Sequence, residues 1–261
     1  MRENAIRRIW RDGGAAINGW LAIPTSFSAE TMAHQGWDSL TIDMQHGVVD
    51  YQAALAMLTA ISTTETVPLV RVPWLDQGII MKMLDAGAYG VICPMINSAE
   101  EARRLVAACR YPPAGVRSFG PIRALLYAGA DYATYANDTV LSFAMIETRD
   151  GLDNLEEIAA VEGLDGFYVG PSDLSLALGC APKLDQEEAP VVEAIDRIVR
   201  VAKENGKAAG IHNMTPEYAL KMIDKGYSFV TIGSDARLMV TAAQDVLGAM
   251  RGSKKTVEGV Y

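Results

Sequence analysis

The chain has 261 residues, half of them hydrophobic, and a formal net charge of −9. This size suits one large single-core domain, and the acidic balance argues against a nucleic-acid partner, where a basic footprint is expected. No apolar run approaches the roughly 18 residues of a membrane helix, and the start of the chain, with Arg2, Arg7, Arg8 and Arg11, has no signal-peptide core.

Short β-rich apolar runs alternate with helical patterns from one end to the other. An amphipathic piece at 4–11 comes first and is expected to cap the bottom of a barrel. Strands are expected at 18–23, 39–45, 67–72, 90–95, 141–147, 166–170, 208–212 and 229–233. Helices are expected between and after them, at 29–35, 51–61, 78–85, 99–109, 152–161, 189–204, 216–225 and 236–250. Helix starts are marked by Asn97-Ser98 before Ala-Glu-Glu and by Thr215-Pro216 with Glu217. Eight strand–helix repeats in about 250 residues predict a TIM (β/α)8 barrel with a short N-terminal capping helix, one domain spanning 1–261. The near-continuous hydrophobicity of the strands fits burial on both faces. Segment 111–138 is long for a loop and carries Pro112-Pro113, Arg117 and Arg123. It is read here as a functional connection on the catalytic side.

In such a barrel the C-terminal strand ends build the active site. Reading those ends gives Trp20, Asp43, His46, Arg71, Glu147 and the turn Gly170-Pro171-Ser172-Asp173. Glu147 and Asp173 close successive strands, so both carboxylates should emerge side by side at one rim. Two facing carboxylates repel unless they share a proton or hold a hard cation. They are the expected metal ligands, for magnesium or manganese rather than zinc, since no cysteine or histidine cluster accompanies them. His46 is the expected general base, with Asp43 three positions earlier to orient its ring. Arg71 interrupts a buried strand and must meet a carboxylate or a substrate oxyanion. The oxyanion is the expectation. Backbone N–H groups at Gly170 and Ser172, at a helix start, suit a substrate carboxylate. His212 ends the seventh strand, where it either lines the site or packs, packing being the expectation, and His34 is read as a surface helix residue.

Absences also inform. None of the lysines ends a predicted strand, which disfavours a Schiff-base aldolase, and there is no glycine-rich phosphate loop. Cys93, Cys109 and Cys180 have no metal-type spacing and read as reduced thiols of a cytoplasmic protein. Together the pieces predict a metal-dependent carbon–carbon lyase. It would act on the bond between a 2-keto acid enolate and an aldehyde, with a divalent cation (Mg2+, Mn2+ or Co2+). The alternatives are a citrate-lyase-like or malate-synthase-like acyl-CoA lyase, and a keto-acid-binding barrel without turnover.

The stretches Thr41-Ile-Asp-Met-Gln-His46, Pro68-Leu-Val-Arg71, Val91-Ile-Cys-Pro-Met95, Tyr111-Pro-Pro-Ala-Gly-Val-Arg117, Ile146-Glu-Thr148 and Val169-Gly-Pro-Ser-Asp-Leu174 resemble the HpcH/HpaI aldolase family. The resemblance runs from about Gly19 to Met250 and implies a barrel of the phosphoenolpyruvate/pyruvate type. By it Glu147 and Asp173 match metal ligands, His46 the acid–base residue, Asp43 its partner and Arg71 the enolate stabiliser. The Gly170-Pro171-Ser172 turn matches the keto-acid carboxylate site, and Trp20 a pocket wall. The resemblance also implies a hexamer, a trimer of dimers that exchange the last helix. Three departures bear on the choice of pyruvate or hydroxypyruvate and of aldehyde: Met44-Gln45 for Gly-Glu, Met145 for a glutamine, and a less glycine-rich run from Arg117 to Arg123. Arg117 or Arg123 is expected to bind an acidic acceptor.

Overall fold

The computed structural model describes residues 1–252. Eight parallel strands close on themselves in chain order, each hydrogen-bonded to its sequence neighbours, with β1 meeting β8. The strands are β1 (Ala16–Leu21), β2 (Ser39–Asp43), β3 (Val67–Arg71), β4 (Gly90–Cys93), β5 (Leu141–Ile146), β6 (Gly166–Val169), β7 (Ala208–Asn213) and β8 (Phe229–Ile232). Around them lie α1 (Ala5–Arg11), α2 (Ser26–Ala33), α3 (Tyr51–Ile61), α4 (Gln77–Asp85), α5 (Ala99–Cys109), α6 (Ala124–Ala128) and α7 (Tyr132–Thr139). The second half adds α8 (Arg149–Asp153), α9 (Leu155–Ala159), α10 (Pro171–Ala177), α11 (Ala189–Glu204), α12 (Pro216–Lys225) and α13 (Asp235–Arg251).

Side chains alternate across each strand, so one set fills the barrel and the other meets the helices. Val67, Leu69, Ile92, Leu141, Phe143, Tyr168 and Phe229 form the inner cluster, which α1 closes from below with Ile6 and Trp10. The Trp10 ring meets Phe143 edge-on at 5.9 Å, and its indole N–H donates to the Ser228 carbonyl at 2.7 Å. Leu40, Ile42, Val70, Ala144, Ile146, Val169, Ile211 and Val230 face outward into the larger cluster shared with the helices. A polar layer crosses the interior. The Asn18 amide oxygen accepts from Ser39 and Thr41 at 2.8 and 3.1 Å, and its nitrogen donates to Thr231 at 2.9 Å.

Beyond a shift of α2 to 26–33 and the added short helix α10, the structure departs from the expected elements in three places. Segment 111–138 is not one loop but carries α6 and α7, and the helix expected at 152–161 is split at Asn154 into α8 and α9. The third departure concerns position. Because 111–138 follows α5 and leads into β5, it lies at the N-terminal end of the barrel, opposite the strand ends that were expected to use it. There Arg117 donates to Asp85 at 2.6 Å and to the Tyr132 hydroxyl at 2.9 Å, both at the bottom of the fold. Arg123 donates to the carbonyls of Ala86 and Leu58, which end α4 and α3. Within this chain neither arginine reaches the catalytic rim, and both serve as struts that bind the segment to the helix ends. Among the described residues no helix is long and apolar enough to cross a membrane.

Candidate active site

A cavity of about 90 Å³ opens at the C-terminal ends of the strands, lined by Trp20, Asp43, His46, Arg71, Met145, Glu147, Tyr168, the turn from Gly170 to Asp173, Leu184, His212 and Ser234. The expected residues other than Arg117 and Arg123 are thus brought together.

Register explains how. Asp43 stands directly across from Arg71 on neighbouring strands, both pointing inward. Arg71 grips it with two parallel bonds, Nε to Oδ1 at 2.8 Å and Nη2 to Oδ2 at 2.7 Å. Of the two partners open to Arg71, a carboxylate or an oxyanion, the protein supplies the carboxylate, and two of the guanidinium N–H groups are engaged with it. Desolvation makes such a partner necessary, because an unpaired guanidinium this deeply buried would be costly. Burial alone would raise the Asp43 carboxyl, but the Arg71 guanidinium holds it below the ordinary carboxylate value. Asp43 also accepts from the Trp20 indole at 3.2 Å and from the backbone N–H groups of Gln45 and His46 at 3.0 and 3.3 Å. It thereby folds the turn that sets His46, an exposed residue, at the cavity mouth. The Trp20 ring lies 4.8 Å from the Arg71 guanidinium carbon, a cation–π contact that braces the pair.

Glu147 and Asp173 present the opposite electrostatic condition. Glu147 is buried and accepts one bond, from the Met95 backbone N–H at 2.9 Å. Met95 is the one described non-glycine residue with a positive φ, +56°. A left-handed residue of this kind costs on the order of 1–3 kcal/mol, and here that conformation accompanies the N–H bond to the carboxylate. Burial pushes Glu147 up to about 7, and the Asp173 charge adds to the rise, against the pull of Met95 and Arg71. Asp173 sits in the first turn of α10, where Gly170, not Asp173, is the N-cap residue. Gly170 continues the β5–β6 register opposite Glu147, and a β-carbon there would strike Glu147 Oε2 and the Met145 side chain. The missing side chain is what lets the carboxylate occupy the rim.

These residues fit a divalent cation. Arg71 is the one lysine or arginine among the described residues lining the cavity, set against the three carboxyl groups of Asp43, Glu147 and Asp173, so the site is short of positive charge. Among the described residues no cluster of three or more His, Cys, Asp or Glu side chains forms a metal site. Two carboxylates would hold the ion and leave its other positions to water and substrate, the coordination habit of magnesium or manganese.

Residues that the chain's pattern did not single out complete the wall. Tyr168 stacks on Trp20 at 5.9 Å, donates to Thr231 at 2.8 Å and lies 3.3 Å from His212 Nδ1. His212, for which packing is the expectation and a place in the site the alternative, lines the cavity. Burial and the nearby Arg71 charge push it down to about 3, so its ring is neutral at physiological pH. Leu184 and Ser234 come from loops without a recognisable motif. Their only signal is a position just past a strand or its following helix.

Residues 18–242 match the family model described as HpcH/HpaI aldolase/citrate lyase. The chain is 43% identical to a hydroxypyruvate/pyruvate aldolase of Rhizorhabdus wittichii, over 95% of this chain and 99% of that one. It is 38% identical to a 4-hydroxy-2-oxo-heptane-1,7-dioate aldolase of Escherichia coli, over 99% and 100%. A crystal structure of an HpcH/HpaI aldolase/citrate lyase family protein from Burkholderia cenocepacia superimposes with a TM-score of 0.89 at 30% identity, covering 95% of this chain and 99% of that chain. Named relatives of such identity and coverage favour aldol chemistry over the acyl-CoA alternative. The chain belongs to the HpcH/HpaI aldolase/citrate lyase family, and it is a carbon–carbon lyase.

Proposed function

We propose that this lyase is a metal-dependent aldolase that joins and cleaves a 2-keto acid, pyruvate or hydroxypyruvate, and an aldehyde. The observation that carries the reading is the pair Glu147–Asp173 at adjacent strand ends, with Glu147 raised to about 7 and no lysine or arginine bonded to either carboxylate among the described residues. A cation bound there supplies Lewis acidity to the keto oxygen of the donor. The backbone N–H groups of the Gly170–Ser172 turn, with Pro171 at the first position of α10, hold the donor carboxylate. Arg71 keeps two N–H groups on Asp43, and its remaining ones meet the enolate oxygen as charge develops there. His46 takes the proton of the aldol hydroxyl in cleavage and returns it in synthesis. Trp20 and Tyr168 form a wall that limits water near the donor.

The seventeen-residue α13 buries only Asp235 and leaves Leu238, Met239, Val246, Leu247 and Met250 exposed. This supports a homo-oligomer, which we assign as a hexamer built as a trimer of dimers that exchange this helix. The three cysteines stand unpaired, in keeping with a cytoplasmic setting. The test is deuterium exchange of the pyruvate methyl protons. Exchange with Mg2+, Mn2+ or Co2+ and none in EDTA supports the reading; binding of pyruvate without exchange under any metal overturns it.

A further inference from the structure

The segment 178–188, between α10 and α11, brings Leu184 to the cavity and is pinned immediately after it. Asp185 accepts from the backbone N–H groups of Met214 and Thr215 at 2.7 and 3.1 Å and from the Thr215 hydroxyl at 2.6 Å, at the start of α12. Gln186 is fully buried. Its amide nitrogen donates to Ser175 Oγ at 2.6 Å and to the carbonyls of Ala181 and Lys183 at 2.8 and 3.2 Å. Its main-chain carbonyl accepts from the Tyr218 hydroxyl at 3.0 Å. Ser175 in turn donates to the Pro171 carbonyl at 2.5 Å, inside the turn that lines the cavity. Ala181, Pro182, Lys183 and Glu187 are exposed, while Leu184 is half-buried and is the one residue of the segment that lines the cavity. A hydrophobic side chain is therefore held in place by two polar anchors.

Leu184 comes from beyond the strand ends, so it stands on the solvent side of Arg71, Glu147 and the Gly170 turn, where the second substrate must enter. Among the described residues lining that cavity Arg71 is the one lysine or arginine, and two of its N–H groups are engaged with Asp43. Arg117 and Arg123 are tied down at the other end of the barrel. We propose that Leu184, positioned by Asp185 and Gln186, is a specificity-determining residue for the acceptor, selecting short uncharged aldehydes over long ones and over those bearing a carboxylate. This inference rests on the aldolase reading above and names the acceptor class of the same site.

The test compares kcat/KM, with pyruvate as donor, for butanal, hexanal and 4-oxobutanoate in wild type, Leu184→Ala and Leu184→Arg. Wild type should prefer butanal to both others. Leu184→Ala should shrink the butanal-to-hexanal ratio by about tenfold, the scale on which an apolar pocket resolves chain length. Leu184→Arg should shift the butanal-to-4-oxobutanoate ratio towards the acid by a similar factor. Wild-type ratios in both variants, or a wild-type preference for 4-oxobutanoate, would overturn the proposal. Methyl exchange by the wild-type enzyme separates the two readings. Exchange with unmoved aldehyde ratios sinks the role of Leu184 alone, and no exchange sinks the aldolase reading and this inference with it.

Discussion

Glu147 Oε2 occupies the space that a β-carbon on residue 170 would need. The two residues face each other at the ends of β5 and β6, so the identity of one sets the pose of the other. Gly170 has φ −95° and ψ 91°, a backbone any residue can adopt, so its role here is to leave room rather than to turn the chain.

Gly170→Ala should accordingly leave the barrel folded, as read by far-UV circular dichroism, while displacing the Glu147 carboxylate. The Mg2+ concentration for half-maximal turnover should rise about tenfold or more, the usual cost of disturbing a ligand's support. An unchanged Mg2+ requirement would mean that this pose of Glu147 is not the working one.

The raised Glu147 carboxyl predicts a pH dependence. Its value in the folded chain is about 7 against an ordinary 4.5, so the folded state binds that proton more tightly than the unfolded state does. The resulting stabilisation is complete below pH 4.5 and is lost as pH rises through 7, on the order of 3 kcal/mol at most. A cation competes with the same proton, so the gain in Tm on adding Mg2+ should grow from pH 6 to pH 8. Calorimetry on wild type and Glu147→Gln checks this: the growth with pH should be present in the first and missing in the second.

Breaking the Asp43–Arg71 fork should be costly in two distinguishable ways. Asp43→Ala leaves a buried guanidinium without its counter-charge, and urea unfolding should show a loss of about 3–5 kcal/mol. Arg71→Lys keeps a charge but not the planar fork. It should destabilise less, yet lower kcat by about 10²-fold if Arg71 also meets the developing oxyanion. Equal stability losses with kcat preserved in Arg71→Lys would confine the pair to a structural role.

Much of this architecture is legible along the chain because it is periodic. Helices such as α3, α5 and α12 start and stop where their caps and apolar spacing say, α11 where its apolar spacing does, and the strands differ from expectation only by a residue or two at their ends. Glu147, Asp173, Asp43, Arg71 and Trp20 were findable because a charged or bulky polar residue at the end of an apolar run is conspicuous. What pattern could not supply is pairing across space. Arg71 meets Asp43 through strand register, and the pull of an oxyanion looks the same as that of a carboxylate when only one partner is read. The length of the segment that carries Arg117 and Arg123, with its glycines, points to the catalytic side, whereas its order in the chain, after a helix and before a strand, places it at the other end. Tyr168 carries no such signal because a buried aromatic in a strand is ordinary, and only the closed barrel turns it and His212 towards one cavity.

His46→Ala should slow aldol cleavage by about 10²-fold or more while leaving cation binding as in wild type, because its side chain is not one of the two carboxylates. Steady-state kinetics at saturating Mg2+ read the first part, and wild-type rates would remove His46 from proton transfer.

The most direct measurement is equilibrium binding of Mn2+ to wild type, Glu147→Ala and Asp173→Ala, followed by electron paramagnetic resonance of the free ion. One ion per chain in wild type, lost in each variant with the fold retained, is the predicted result. Mn2+ bound with undiminished affinity by both variants would contradict the account.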